Sequence, residues 1–278
     1  MNTRSVKLDI SAINRQPESK RRIPAALLGA LLPFTALLVA EIGVRSGLIP
    51  ANLLPAPTEI LNTISYLAQH GLAGHMAAST LRVIAGFLAG SLLAVVIGSL
   101  VGLSKRMELI LDPSFQALRA IPSLAWVPLL LLWLGIDEAP KLVLIAIGAF
   151  FPVYMGTVSG IRGVDRKLIE VAQLYRLRRP ALAYRVLLPA ALPSLLTGLR
   201  NGLSLAWMFM VAAELIAASK GLGYLLSDGR ETSRADIVLA AIVLLAVLGK
   251  ISDRLMIKLE SRLLSWRDSF ANSVQDLP

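Results

Sequence analysis

The sequence predicts an all-α integral membrane protein of about six transmembrane helices, with the N- and C-termini cytoplasmic and a short amphipathic cytoplasmic helix between helices four and five. Three observations predict it. The 278 residues are 55% hydrophobic, 17% charged and 6% aromatic, against the roughly 45–50% apolar and roughly 25% charged residues of soluble domains. The apolar residues fall in blocks of about 20, the length a helix needs to cross a ~30 Å hydrocarbon core. Lys and Arg gather in alternate connecting segments, the asymmetry that orients a membrane protein.

Residues 1–22 form a basic cytoplasmic tail carrying Arg4, Lys7, Arg15, Lys20, Arg21 and Arg22. The apolar run at 24–43 has no small-residue cleavage site, so it reads as a retained first helix and not a removed signal peptide. Further apolar runs place helices at 80–103, 121–136, 141–160, 195–218 and 236–256. The membrane domain is thus 23–260, followed by a cytoplasmic tail at 261–278. The third run is short, begins at Pro122, contains Pro128 and ends at Gly135, which predicts a tilted, kinked or barely spanning helix.

With the N-terminus inside, the inner segments hold that tail and Lys105, Arg106 and Arg119. They also hold Arg162, Arg166, Lys167, Arg176, Arg178, Arg179, Arg185 and Arg200, and at the C-terminal end Lys250, Arg254, Lys258, Arg262 and Arg267. The outer segments hold only Arg45, Arg82, Lys141, Lys220, Arg230 and Arg234, which places both ends inside with an even number of spans. Glu41 and Arg82, at outer helix ends, are expected to reach water. Gly86 with Gly90, Gly98 with Gly102, Gly156 with Gly160, and Gly198 with Gly202 have the spacing that lets helix backbones approach in lipid, and predict a packed bundle.

Several function classes are excluded or disfavoured. A net charge of +10 suits nucleic acid, but the basic residues lie in connecting segments without interleaved aromatics for base stacking. The absence of cysteine removes disulfides, thiol nucleophiles and thiolate metal sites, and His70 and His75 are too few for most zinc sites. A phosphate-cradling loop would end in Gly-Lys-Ser/Thr, whereas Gly249-Lys250 is followed by Ile251. No convergent set of nucleophile, base and metal ligand marks a membrane enzyme, and there are too few buried carboxylates for a self-contained ion-coupled carrier.

The segment at 161–195 is too long for a simple connector. From Val164, the residues Leu168, Val171, Ala172 and Tyr175 recur at helical spacing, with Asp165, Arg166, Lys167, Glu170, Gln173 and Arg176 on the other face. Pro180 is expected to end or redirect this helix, and Leu188-Pro189 with Pro193 to break the backbone again before helix five. Pattern alone fits a helix lying on anionic lipid as well as one docking a soluble partner.

The residue identities go further. Glu170-Val171-Ala172, with Val186-Leu187-Leu188-Pro189 downstream, resembles the cytoplasmic EAA loop of the permease subunits of ATP-binding-cassette importers. The resemblance continues through Leu53-Leu54-Pro55-Ala56-Pro57 and Ser79-Thr80-Leu81-Arg82-Val83-Ile84-Ala85-Gly86-Phe87. It extends to Arg119 through Pro128, Leu132 through Ile136, and Glu214-Leu215-Ile216-Ala217 followed by Gly221-Leu222-Gly223-Tyr224. It is strongest to aliphatic sulfonate, taurine and nitrate permeases. One departure is Arg176, where that family usually has glycine. Arginine in a left-handed turn costs about 1–2 kcal/mol, so the turn is expected to shift or the helix to lengthen toward Pro180.

The resemblance implies a multi-pass protein of the bacterial inner membrane whose two copies form a homodimeric pathway. It implies two partners, a cytoplasmic ATPase dimer that carries ATP and Mg and an external substrate-binding protein, with no cofactor on this chain and aliphatic sulfonate as the first choice of cargo. Coupling to the ATPase would fall on Asp165, Leu168, Glu170, Val171, Ala172, Gln173, Tyr175, Arg176, Leu188 and Pro189. For the translocation pathway the candidates are Trp126, Trp133, Glu214, Gly221 and Gly223. Glu214 is also weighed as a pairing residue near the outer face, because an unpaired intramembrane carboxylate is costly. The Gly221–Tyr224 row suggests a tight turn or re-entrant element.

Overall fold

The computed structural model describes residues 25–50 and 52–266, and no β-strand occurs among them. The expected tail at 1–22 and residues 267–278 of the C-terminal tail lie outside the described residues. The chain divides into two compact units, 1–57 and 58–278. In the first, α1 (Ala25–Arg45) coincides with the expected first helix, and its last turn is closed by a 2.6 Å ion pair between Arg45 and Glu41.

The second unit holds the remaining helices. They are α2 (Pro57–Gln69), which begins at the boundary, α3 (Leu72–Leu103), α4 (Lys105–Ala120), α5 (Val127–Leu134), α6 (Glu138–Arg162), α7 (Arg166–Leu174), α8 (Arg179–Leu182), α9 (Leu188–Ala217), α10 (Leu222–Glu231) and α11 (Ala235–Leu263). Among the described residues, four helical stretches, 72–103, 138–162, 183–216 and 235–263, are long and apolar enough to cross a membrane. A bent pair, 105–120 with 123–134, makes a fifth.

Two expectations about helix extent are corrected. The run at 121–136 is not one helix but a 3-10 turn (Ser123–Trp126) leading into α5, which together form the second arm of a pair bent by 88° against α4. Pro122 forces Ile121 into extended backbone, at φ −75° and ψ 124°, and that is the bend. Pro189 and Pro193 do not break the chain before helix five. Pro189 occupies the first turn of α9, and Pro193 is carried inside the same 30-residue helix. The ladder widens into a π-helical stretch, Ala183–Leu187, just ahead of Pro189, whose missing N–H needs no acceptor.

Helix α6 is the centre of the bundle, packed along α3 on one side and α9 on the other. The glycines of the GxxxG pairs make that contact. A Cβ on Gly90 would strike the Ala146 carbonyl, and one on Gly98 would lie 2.9 Å from Thr157 Cβ, so α3 approaches α6 to backbone distance. Gly156 and Gly198 face each other across α6 and α9, where a Cβ on Gly198 would lie 2.9 Å from the Pro152 carbonyl oxygen and 3.1 Å from Gly156 Cα. Around these contacts Ala94, Val101, Phe150, Val153, Tyr154 and Val158 form one apolar cluster, and Val83, Ile145, Ala149, Ala206 and Met210 another. The outward face of α3, with Leu81, Leu88, Leu92 and Leu100, is exposed, as a helix solvated by lipid requires.

The turn after α7 overturns the expectation drawn from Arg176. The helix is not prolonged: it ends at Leu174, and Arg176 itself takes the left-handed conformation at φ 52°. The Leu177 N–H donates to the Ala172 carbonyl at 3.1 Å, the long bond of a Schellman cap with Arg176 in the position glycine normally fills. We expect Arg176→Gly to relieve about 1 kcal/mol of local strain. Slower hydrogen exchange at the Leu177 amide, by about fivefold, would register that relief.

Candidate functional site

Alongside the glycine contact, α6 and α9 line a cavity of about 710 Å³ together with the end of α4 and the 3-10 turn. Its floor is low because Gly148, Gly156 and Gly198 contribute no side chain. One set of lining groups is polar: Ser159 from α6, Ser194, Thr197 and Asn201 from α9, Arg119 from the last turn of α4, and Ser123 from the 3-10 turn. The other is apolar, with Phe151, Met155, Leu205 and Met208. Ser194, Thr197 and Asn201 recur at helical spacing on an otherwise apolar helix, so this polar stripe was legible in the sequence although the sequence reading passed over it.

The expected pathway residues do not line this cavity. Trp126 and Trp133 line a separate, almost wholly apolar cleft of about 500 Å³ with Phe115, Phe150 and Phe151. Glu214, Gly221 and Gly223 belong instead to a buried ionic cluster that ties α3, α6, α9 and the start of α10 together. The Glu214 carboxylate is fully buried. Arg82 Nη1 donates to its Oε1 at 2.6 Å, Ser79 Oγ donates to it at 2.8 Å, and the Gly223 N–H donates to Oε2 at 2.8 Å. Ser79 Oγ in turn accepts from the Leu222 N–H at 2.8 Å.

Gly221 is required here twice over. Its φ is 141°, and a Cβ would run into the Glu214 carboxylate. The Gly221 N–H donates to His75 Nδ1 at 3.1 Å, and the His75 ring stacks on Tyr224. The Gly221–Tyr224 row is thus a tight turn running directly into α10.

Arg82 corrects a second expectation: it is buried, not solvated. Its Nε and Nη2 make a forked pair with Glu138 at 2.7 Å each, and Nη1 also donates to the Lys220 carbonyl at 2.6 Å. Lys141 Nζ completes the cluster at 2.9 Å from Glu138 Oε1. An arginine inside an apolar run signals a buried carboxylate partner, and that signal at Arg82 was present in the sequence.

Opposite-charge contacts also fix the other helices. Arg200, expected in the loop, lies within α9 and pairs with Asp253 of α11 at 2.6 Å, while Trp207 Nε1 donates to Ser252 Oγ at 2.9 Å. Arg162 pairs with Glu108 of α4 at 3.1 Å, and Tyr154 OH donates to Asp112 at 2.9 Å.

Helix α7 stands apart from this packing. Asp165 caps it by accepting from the Lys167 N–H at 2.9 Å, and Arg166 pairs with Glu170 at 3.0 Å on its surface. Of its expected apolar face only Ala172 is buried, whereas Leu168, Val171 and Tyr175 are exposed. So is Leu174, which the sequence reading omitted and which is 83% exposed. Leu188 and Pro189 lie exposed at the start of α9, and the Gln173 side chain lies outside the described residues.

An apolar helical bundle with a polar-lined cavity and a small amphipathic helix left unpartnered is the architecture of a membrane-embedded transport subunit. Comparison with known proteins gives the family. Residues 82–265 match the binding-protein-dependent transport system inner membrane component, and the chain belongs to this family. A Bacillus subtilis (strain 168) protein named as an aliphatic sulfonates transport permease, SsuC, is 44% identical over 265 residues, covering 95% of each chain. The Escherichia coli (strain K12) taurine transport system permease protein TauC is 36% identical over 225 residues, covering 79% of this chain and 82% of its own.

Among solved structures, an inward-facing MetNI methionine ABC transporter aligns with a TM-score of 0.60 at 16% identity, over 66% of this chain and 92% of that one. It shares the fold. The protein is therefore a multi-pass inner-membrane permease of an ABC importer, a transport subunit and not an enzyme.

Proposed function

We propose that two copies of this chain form the pathway of an ATP-driven importer for a small anion, with aliphatic sulfonate as cargo and taurine or nitrate as the alternatives. Both termini face the cytoplasm in this reading, supported by the placement of Lys and Arg. An external binding protein delivers the cargo, and a separate cytoplasmic ATPase dimer binds ATP and Mg. The names of the SsuC and TauC relatives support the cargo class.

The observation that carries the coupling role is α7, which turns Leu168, Val171, Leu174 and Tyr175 away from the bundle while Ala172 anchors it. Exposed leucine and tyrosine on a helix capped at both ends make a preformed docking knob, with Asp165, Glu170 and Arg176 at its rim and Leu188 and Pro189 behind it.

The experiment is co-purification in lipid with the cognate ATPase and binding protein. We expect Leu168→Asp to reduce ATPase stimulation by loaded binding protein at least about tenfold through a charge placed in an apolar contact, and Glu170→Arg to reduce it through a reversed rim charge, while thermal unfolding of the permease is unchanged. Wild-type stimulation in both variants would remove α7 from the coupling route.

A further inference from the structure

The cavity between α6 and α9 carries a more specific chemistry, and its interpretation rests on the importer reading above. Arg119 is the charged side chain that lines it. Arg82, Arg162, Arg200 and Arg234 are each paired with a carboxylate. Arg119, by contrast, is exposed and has no ion pair or hydrogen bond within the described residues. The C-terminal turn of α4 favours a cation there, but that explains its presence in the turn and not its position at the cavity rim.

Ser123, Ser194 and Asn201 likewise line the cavity without intramolecular side-chain partners among the described residues. Among the described residues no carboxylate lines the space. The opposite wall, Phe151, Met155, Leu205 and Met208, offers only apolar surface. We infer that this cavity is a station for an amphiphilic oxyanion in transit, with Arg119 and Asn201 receiving the anionic head and the Phe151–Met208 wall receiving an alkyl chain.

The arrangement discriminates among the candidate cargoes. An ammonium group, as taurine carries, finds no counter-charge in the cavity, and nitrate has nothing to place against the apolar wall. A cavity of about 710 Å³ is roomy enough for an alkyl sulfonate with residual water. An anionic lipid offers the same head-and-tail chemistry, so the test separates a moving cargo from a resident lipid.

The test uses the complete transporter, with its ATPase and binding protein, in vesicles of pure phosphatidylcholine and in vesicles containing phosphatidylglycerol. Uptake of radiolabelled hexanesulfonate and ethanesulfonate is measured together with ATP hydrolysis. We expect Arg119→Ala to raise the ATP consumed per hexanesulfonate imported at least about tenfold, as loss of a charge-assisted contact predicts. Arg119→Lys should restore most of the yield, and Met208→Ser should penalise hexanesulfonate more than ethanesulfonate.

An unchanged ratio in Arg119→Ala overturns the inference, including when both rates fall together as they would in a poorly folded variant. An effect confined to phosphatidylglycerol vesicles overturns it in favour of lipid. Wild-type transporter that hydrolyses ATP but imports no sulfonate overturns the cargo reading and this inference with it, whereas normal wild-type uptake with an indifferent Arg119→Ala overturns the inference alone.

Discussion

Glu214→Ala is expected to destabilise the bundle by about 3–5 kcal/mol, the cost of leaving a buried charge without its partner. The carboxylate is wholly buried and answers three donors through four contacts: Arg82, the Ser79 hydroxyl, which lies against both oxygens, and the Gly223 N–H. Its removal leaves the Arg82 guanidinium, whose side chain is only 10% exposed, with Glu138 as its one carboxylate and the Lys220 carbonyl as its remaining acceptor. Glu138 is 51% exposed, so Glu138→Ala should cost about 1 kcal/mol or less because water replaces much of what it supplies. Thermal unfolding in nanodiscs orders the two. The double variant Arg82→Met with Glu214→Leu should recover part of the loss, since apolar groups need no partner. Equal penalties for Glu214→Ala and Glu138→Ala would mean that burial does not govern the cluster.

Gly198→Leu is expected to cost about 3 kcal/mol, at the upper end of what overpacking usually costs. The added atoms have nowhere to go: Pro152 and Gly156 present backbone at 2.9 and 3.1 Å, and backbone cannot rotate aside as a side chain does. Loss of the monodisperse peak on size exclusion after detergent extraction is the readout. Gly249→Ala in α11 is the contrasting case, because nothing lies within 4 Å of its added Cβ. It should stabilise by up to about 1 kcal/mol through helix propensity. If the two variants behaved alike, close helix approach would not explain the GxxxG pairs.

What the sequence made legible follows from which forces are local. Apolar runs and GxxxG spacing are properties of contiguous residues; the runs located α3, α6, α9 and α11, and the spacing announced a packed bundle without saying which helices pair. α4 escaped the same reading because Lys105, Glu108, Asp112 and Arg119 dilute its apolar character. Amphipathic α2 and α10 are likewise too short and polar to register as spans. The partners of Glu214 lie up to 135 residues away in the chain, and no pattern within one helix announces that distance. Arg82 was misplaced because its position near a helix end outweighed the signal of a charge inside an apolar run, although the identity of its carboxylate partners on other helices was not legible. The turn at Arg176 shows the converse, a local propensity outvoted because the Ala172 to Leu177 bond fixes the backbone whatever the residue.

The ionic cluster has an electrical consequence. Arg82 and Lys141 bring two positive charges, Glu138 and Glu214 two negative ones, and the contacts at 2.6 to 2.9 Å hold them as one body. A unit charge crossing a 100 mV potential exchanges about 2.3 kcal/mol with the field, but a body of zero net charge exchanges almost none when it translates. The cluster can therefore travel with its helices during a change of access without acting as a voltage sensor.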